Sequence, residues 1–78
     1  MQQWEYLFVL CEVSGEWRPR YVNGKELRDW KKGPAIFDYA NTMGEEGWEL
    51  INPVISHSEA GDSYRLVFKR SKGSTPTV

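Results

Sequence analysis

Residues 44–50, Gly-Glu-Glu-Gly-Trp-Glu-Leu, constrain the fold more than any other stretch, because they predict a helix that ends and a strand that begins with almost no connection between them. Upstream, apolar residues recur at helical spacing over residues 36–43, and Pro34 suits the first helical position. Gly47 lacks a Cβ atom, so it can take the left-handed conformation just past the helix end. Trp48 then enters the strand. We therefore expect a helix over about residues 34–46.

Gly44 lies inside this predicted helix, one turn before its end. Glycine there costs roughly 0.5–1 kcal/mol relative to alanine, so we expect a compensating close approach of the helix backbone to a sheet. Gly44, Gly47, Trp48 and Leu50 together form the predicted structural junction between helix and sheet.

Three separated segments resemble one known family. They are Trp-Glu-Tyr at residues 4–6, the run at residues 44–50, and Phe-Lys-Arg at residues 68–70. Together they are similar to the small bacterial domains called domain of unknown function 4177. A longer segment over residues 17–32 and a polar carboxyl-terminal tail depart from the short members of that family. The resemblance implies a fold, but it implies no activity and brings no catalytic residues.

Size and composition favour a single small domain. The chain has 78 residues, a formal charge of −1 and one cysteine. The near-neutral charge argues against nucleic acid or an anionic membrane as the main partner. No internal disulfide is possible and no apolar run approaches about 18 residues, so we expect a cytoplasmic domain over residues 1–70 without membrane insertion. Residues 71–78 are predicted to be a flexible polar tail.

The first predicted strand, residues 4–13, is apolar on both faces, whereas a strand with one wet side alternates apolar and polar residues. It is therefore predicted to be central in the sheet. A single helix can cover only one face, so the other face is predicted to contact a protein, most simply a second copy of the chain. The residues assigned to this interface are Leu7, Val9, Cys11 and Val13. The alternative is that the following strands curl over and bury Leu7, Val9 and Cys11 within one chain.

Two turn signals, Ser14-Gly15 and Asn23-Gly24, predict a meander with strands over residues 16–22 and 25–30. If both turns were two-residue loops, the two ends of the middle strand would have to form hydrogen bonds on opposite sides of that strand. Their spacing along the strand puts them on the same side, so a bulge or a longer loop is required. Pro19 is the expected place, because proline cannot donate to a strand ladder.

The hairpin over residues 16–32 interleaves basic and aromatic side chains, the pattern of a single-strand nucleic-acid or small-ligand surface. This candidate binding surface comprises Trp17, Arg18, Arg20, Tyr21, Arg28 and Trp30. Acidic neighbours dilute its charge, and a solvated hairpin with cross-strand ion pairs is the favoured interpretation.

After the helix, residues 48–56 predict a strand interrupted at Asn52-Pro53, and residues 63–70 predict a strand with Tyr64, Leu66 and Phe68 inward. His57 is expected to be an exposed spacer. No motif indicates a catalytic, metal or cofactor site.

The predicted elements together indicate an α+β fold, with an antiparallel sheet in the chain order β-β-β-α-β-β packed on one face by the helix. The expected function is a non-enzymatic interaction module, either self-associating or part of a larger assembly; the alternative is ligand or single-strand nucleic-acid binding by the hairpin.

Overall fold

A computed structural model describes residues 2–59 and 61–72, with every side chain in these ranges except those of Asn52 and Ser58. Within them the fold is α+β, and the predicted chain order β-β-β-α-β-β is confirmed. The elements are β1 (Trp4–Ser14), β2 (Glu16–Val22), β3 (Lys25–Glu26), one turn of 3-10 helix (Trp30–Lys32), α1 (Ile36–Glu45), β4 (Glu49–Ser58) and β5 (Gly61–Ser71). The strands form one antiparallel sheet in the spatial order β3-β2-β1-β5-β4, so β1 is central.

The core lies between α1 and one face of the sheet, which we call the helix face. Its buried hydrophobic cluster comes from β1, β5 and the first turn of α1: Val9, Cys11, Ile36, Leu66 and Phe68. Pro19 of β2 is also buried. Partly buried side chains pack around them, and the ring of Tyr39 on α1 meets Phe68 edge-on at 6.4 Å between centroids. This inward set on β5 matches the predicted alternation.

The expectation that Leu7, Val9 and Cys11 lie on an uncovered face is wrong. Val9 and Cys11 are 3% and 0% exposed under α1, and Leu7 packs beside them. Val13 is exposed at the far end of β1. The neighbouring strand β5 explains the difference: Leu66 and Phe68 lie on the covered face, whereas Arg65 and Lys69 lie on the other, so the covered face is apolar on both strands.

The meander contains the predicted irregularity. Leu10 of β1 pairs with Tyr21, but the next residue, Cys11, pairs with Pro19, which leaves Arg20 as an extra residue in β2. The bulge beside Pro19 is therefore confirmed. It lets one end of β2 form the hydrogen bonds of its turn with β1 and the other end form them with β3.

The Asn23-Gly24 turn is also as predicted, with φ of 51° and 82° at its two residues, the positive values that a primed hairpin turn requires. The third strand is shorter than expected, because β3 ends at Glu26 instead of Trp30. Asp29 takes a left-handed conformation with φ of 54°, which turns the chain out of the sheet and into the 3-10 turn.

The helix begins two residues later than expected. Ala35 has an extended backbone at the helix N-terminus, and the amide of Tyr39 donates to its carbonyl at 3.0 Å. Pro34 therefore precedes the helix and does not occupy its first turn. Ser71, expected to begin the tail, ends β5, and residues 73–78 lie outside the described residues.

The helix ends as the sequence predicts. Gly47 has a φ of 91°, and its amide donates to Gly44 O at 3.0 Å while that of Trp48 donates to Met43 O at 3.0 Å. These two bonds form a Schellman motif, which satisfies carbonyls that a helix end leaves unpaired. Trp48 then packs against the core beside Met43.

Gly44 does not have the expected role. It is exposed, and a Cβ atom added to it would meet nothing within 4 Å. No close approach between α1 and the sheet therefore depends on this glycine, and nothing in the structure explains it.

Candidate contact surface

The face of the sheet opposite α1, which we call the outer face, follows from the strand register. Trp4, Tyr6, Phe8 and Leu10 alternate with the core residues of β1 and therefore point away from α1. Residues directly opposite on neighbouring strands share a face. The register thus adds Tyr21 from β2, Arg65, Val67 and Lys69 from β5, and Glu49, Ile51 and Val54 from β4.

The centre of the outer face is aromatic and exposed. Trp4, Tyr6 and Phe8 are 43%, 49% and 57% exposed, although they belong to the central strand. The rings of Tyr6 and Phe8 stack with centroids 6.4 Å apart. Among the described residues, the only α-helix lies on the opposite side, so no helix covers these rings. The sequence pattern placed the three residues on one face, but it assigned the exposed surface to the other.

The charges on the outer face are of both signs. Arg20 contacts Glu26 at 2.7 Å and Glu12 at 2.8 Å, and these hydrogen bonds raise the pKa of Arg20 above its usual value. The ammonium of Lys69 lies 4.6 Å from the ring centre of Trp4 and opposite Glu49. The surface therefore presents no strong field of either sign.

The hairpin residues proposed as an alternative binding surface do not all come together. Trp17 packs into the core margin and meets Tyr64 edge-on at 5.5 Å, whereas Tyr21 lies on the outer face. Arg18 hydrogen-bonds the carbonyls of Ser14 and Gly33.

Three residues of this set do meet, around Arg20. The guanidinium of Arg20 lies 5.2 Å from the ring centre of Tyr21 and 5.0 Å from that of Trp30. Arg28 is exposed beside the 3-10 turn. The cross-strand ion pairs expected of a solvated hairpin are present. They are formed by Arg20, which is the cation that lies closest to the rings.

A shallow cleft of about 400 Å³ lies on the outer face, where the Asn23-Gly24 turn adjoins β1 and β5. Phe8, Leu10, Tyr21 and Val67 make its wall apolar, and Arg65 supplies a cation at one side. It is partly open to solvent.

The two side chains best suited to chemistry are placed for other roles. Burial raises the pKa of the Cys11 thiol to about 12, so the thiol stays protonated inside the core. His57 is exposed near the turn between β4 and β5, and its Nδ1 lies 2.8 Å from Asp62. Among residues 2–59 and 61–72, no three side chains of the metal-binding types cluster. Within the same ranges, no helix is long and apolar enough to cross a membrane.

The family is decided by a match over most of the chain. The sequence model of domain of unknown function 4177 (DUF4177) matches residues 4–71. The chain belongs to this family. No curated protein and no solved structure matches it.

The three DUF4177 segments, far apart in sequence, meet at the end of α1. Arg70 from the last segment forms an ion pair with Glu5 from the first. Its guanidinium lies 4.1 Å from the ring centre of Trp48, and it donates to the carbonyl of Glu46 at 3.1 Å. A cation at a helix C-terminus stabilises the helix, because it interacts favourably with the negative end of the helix dipole. The junction is therefore larger than the predicted set of Gly44, Gly47, Trp48 and Leu50, and sequence pattern gave no sign of Arg70.

Proposed function

We propose that this DUF4177 domain is a non-enzymatic interaction module whose outer face is covered by another protein surface, most simply that of a second copy. The observation that carries the proposal is the exposure of Trp4, Tyr6 and Phe8 side by side on the central strand. A fully buried aromatic side chain removes on the order of 150–250 Å² from water. These three expose about half of their surface, so covering them would remove about half of that area each and would favour association.

The size of the outer face suits a dimer. Four strands lie about 4.8 Å apart, and the longest have 11 residues, so the face measures roughly 700 Å². A stable interface buries about 800 Å² per partner. The residues around the outer face include three acidic and three basic side chains, so two copies would meet without net repulsion: Glu12, Glu26, Glu49, Arg20, Arg65 and Lys69.

The non-enzymatic part of the proposal is supported by the protonated, buried Cys11 and by the exposed position of His57 away from the cleft. A single cysteine fits a reducing cytoplasm, where we place the domain.

The test is sedimentation of the protein and of two matched variants. Phe8→Lys places a charge on the outer face, and Phe37→Lys places the same charge on α1, where Phe37 is 79% exposed. We expect the wild type and Phe37→Lys to associate through the outer face, and Phe8→Lys to stay folded and lose that contact. A wild type that stays monomeric at high micromolar concentration would overturn self-association.

A second candidate function is suggested by the cleft. Its volume lies within the range of small-ligand sites, and its apolar wall beside Arg65 suits an aromatic or aliphatic carboxylate. Titration with 1-anilinonaphthalene-8-sulfonate, an aromatic anion, probes it. Binding that is lost in Arg65→Ala and kept in Arg28→Ala would support the ligand site, whereas equal binding by both variants would exclude it.

A further inference from the structure

One side of β1 is open over its first residues. The register pairs β2 with β1 only from Val9 to Ser14, whereas β5 pairs with β1 from Trp4 onward. On the β2 side, the ladder closes at Phe8. There the amide of Phe8 donates to Asn23 Oδ1 at 2.9 Å, and the amide of Asn23 donates to the carbonyl of Phe8 at 2.8 Å.

The backbone groups of Trp4 and Tyr6 face the same open side. Successive residues of a strand direct their amide and carbonyl groups to opposite sides, so residues two apart share a side. Because Phe8 bonds toward the hairpin, Tyr6 and Trp4 do as well, and no strand lies there. Within the described part of the chain, these two amides and two carbonyls have no partner on that side.

The other edges of the sheet are protected in ways that this one is not. β4 is an edge strand, but its register shifts between Ile51 and Val54, and Pro53 lies in the shift. β3 has only two residues. Bulges, prolines and short length are how proteins prevent edge pairing. The open edge at Trp4–Tyr6 is also short, but it has neither a bulge nor a proline.

We propose that this edge of β1 pairs antiparallel with the same edge of a second copy, centred on Glu5. In that register, Trp4 of each copy lies opposite Tyr6 of the other. The free backbone amides and carbonyls of these two residues in one chain then hydrogen-bond those of its partner. Four backbone hydrogen bonds form, and two Trp–Tyr pairs stack across the junction on the outer face. The contact is separate from the outer-face contact and does not rest on it.

Charge is compatible with this register. Glu5 of one copy lies opposite Glu5 of the other, and like charges directly opposite are unfavourable. Each Glu5 is already in an ion pair with Arg70 of its own chain, which compensates the repulsion. Pairing centred on Tyr6 would instead need the edge at Phe8, which Asn23 already occupies.

Amide hydrogen exchange of the wild type tests the pairing directly. The Tyr6 amide should exchange about tenfold more slowly at millimolar than at low micromolar protein. The Leu7 amide faces β5, so its rate should not depend on concentration. Fast Tyr6 exchange at every concentration overturns pairing with a second copy and leaves a strand of a different protein as the occupant.

A proline and an alanine variant at the same residue separate this edge contact from the outer-face contact. Tyr6→Pro and Tyr6→Ala both lose the outer-face ring, but only Tyr6→Pro loses the amide at the open edge, so it should fold and associate more weakly than Tyr6→Ala. Leu7→Pro is the control for folding, because it breaks a bond to β5 and should unfold. If Tyr6→Pro and Tyr6→Ala associate equally, the edge proposal fails, and the outer-face contact is judged separately by Phe8→Lys.

Discussion

The two faces of β1 are equally apolar in sequence and differ completely in the folded chain. Val9 and Cys11 are buried by α1, whereas Phe8 and Tyr6, their neighbours along the strand, stay about half exposed. The difference follows from the neighbouring strand β5. Leu66 and Phe68 lie on the covered face of the sheet, whereas Arg65 and Lys69 lie on the uncovered one.

The strongest way to break this comparison is to place the same charge on adjacent residues. Val9→Lys should cost more than about 4 kcal/mol and unfold the protein, because an unpaired ammonium would be buried under α1. Phe8→Lys should cost at most about 1 kcal/mol in the monomer. Urea unfolding at low protein concentration measures both. Equal loss of stability would show that the outer face is internal core.

Truncation of side chains should repeat the contrast on β5. Phe68→Ala should destabilise by about 3–5 kcal/mol, since Phe68 is 1% exposed and its removal leaves a cavity beside Tyr39. Val67→Ala, one residue away on the outer face, should cost less than about 1 kcal/mol. The free energy of unfolding from urea titrations distinguishes them, and a Val67→Ala cost near that of Phe68→Ala would contradict the account.

The helix end offers a smaller change that should affect the helix face alone. Gly47→Ala should destabilise by about 1 kcal/mol, because its φ of 91° forces a Cβ atom into the left-handed region. Exchange of the Trp48 amide should quicken, while self-association of the outer face is unchanged. An unaffected thermal midpoint would refute the role assigned to this glycine.

Gly44→Ala should have the smallest effect and the opposite sign. The added methyl group meets open space, and alanine stabilises a helix interior by about 0.5–1 kcal/mol relative to glycine. A rise in the thermal midpoint with unchanged sedimentation is expected. A fall in the thermal midpoint would support the expectation that the helix needs a glycine at this position to approach the sheet.

What could be predicted from the sequence depended on the range of the interactions. The turn at Asn23, the bulge beside Pro19 and the left-handed Gly47 follow from backbone chemistry within a few residues, and each is present. The early end of β3 was missed because the left-handed conformation of Asp29, a non-glycine residue, carries no clear signal.

Interactions between distant segments could not be read in the same way. Alternation showed that both faces of β1 need a cover, but it contains no information on which face α1 occupies. The choice depends on packing between segments more than 20 residues apart, such as Val9 and Ile36. The contacts of Arg70 with Glu5 and Trp48 were missed for the same reason.

The central claim is that one face of the sheet is covered by its own helix and the other by a second protein molecule. It is tested most directly by nuclear magnetic resonance with a soluble paramagnetic agent, which broadens the signals of exposed side chains. At low concentration, Phe8 and Tyr6 should be broadened and Val9 and Phe68 should not. At high concentration, Phe8 and Tyr6 should become protected while the other two are unchanged. Outer-face signals that remain broadened at every concentration would contradict the claim.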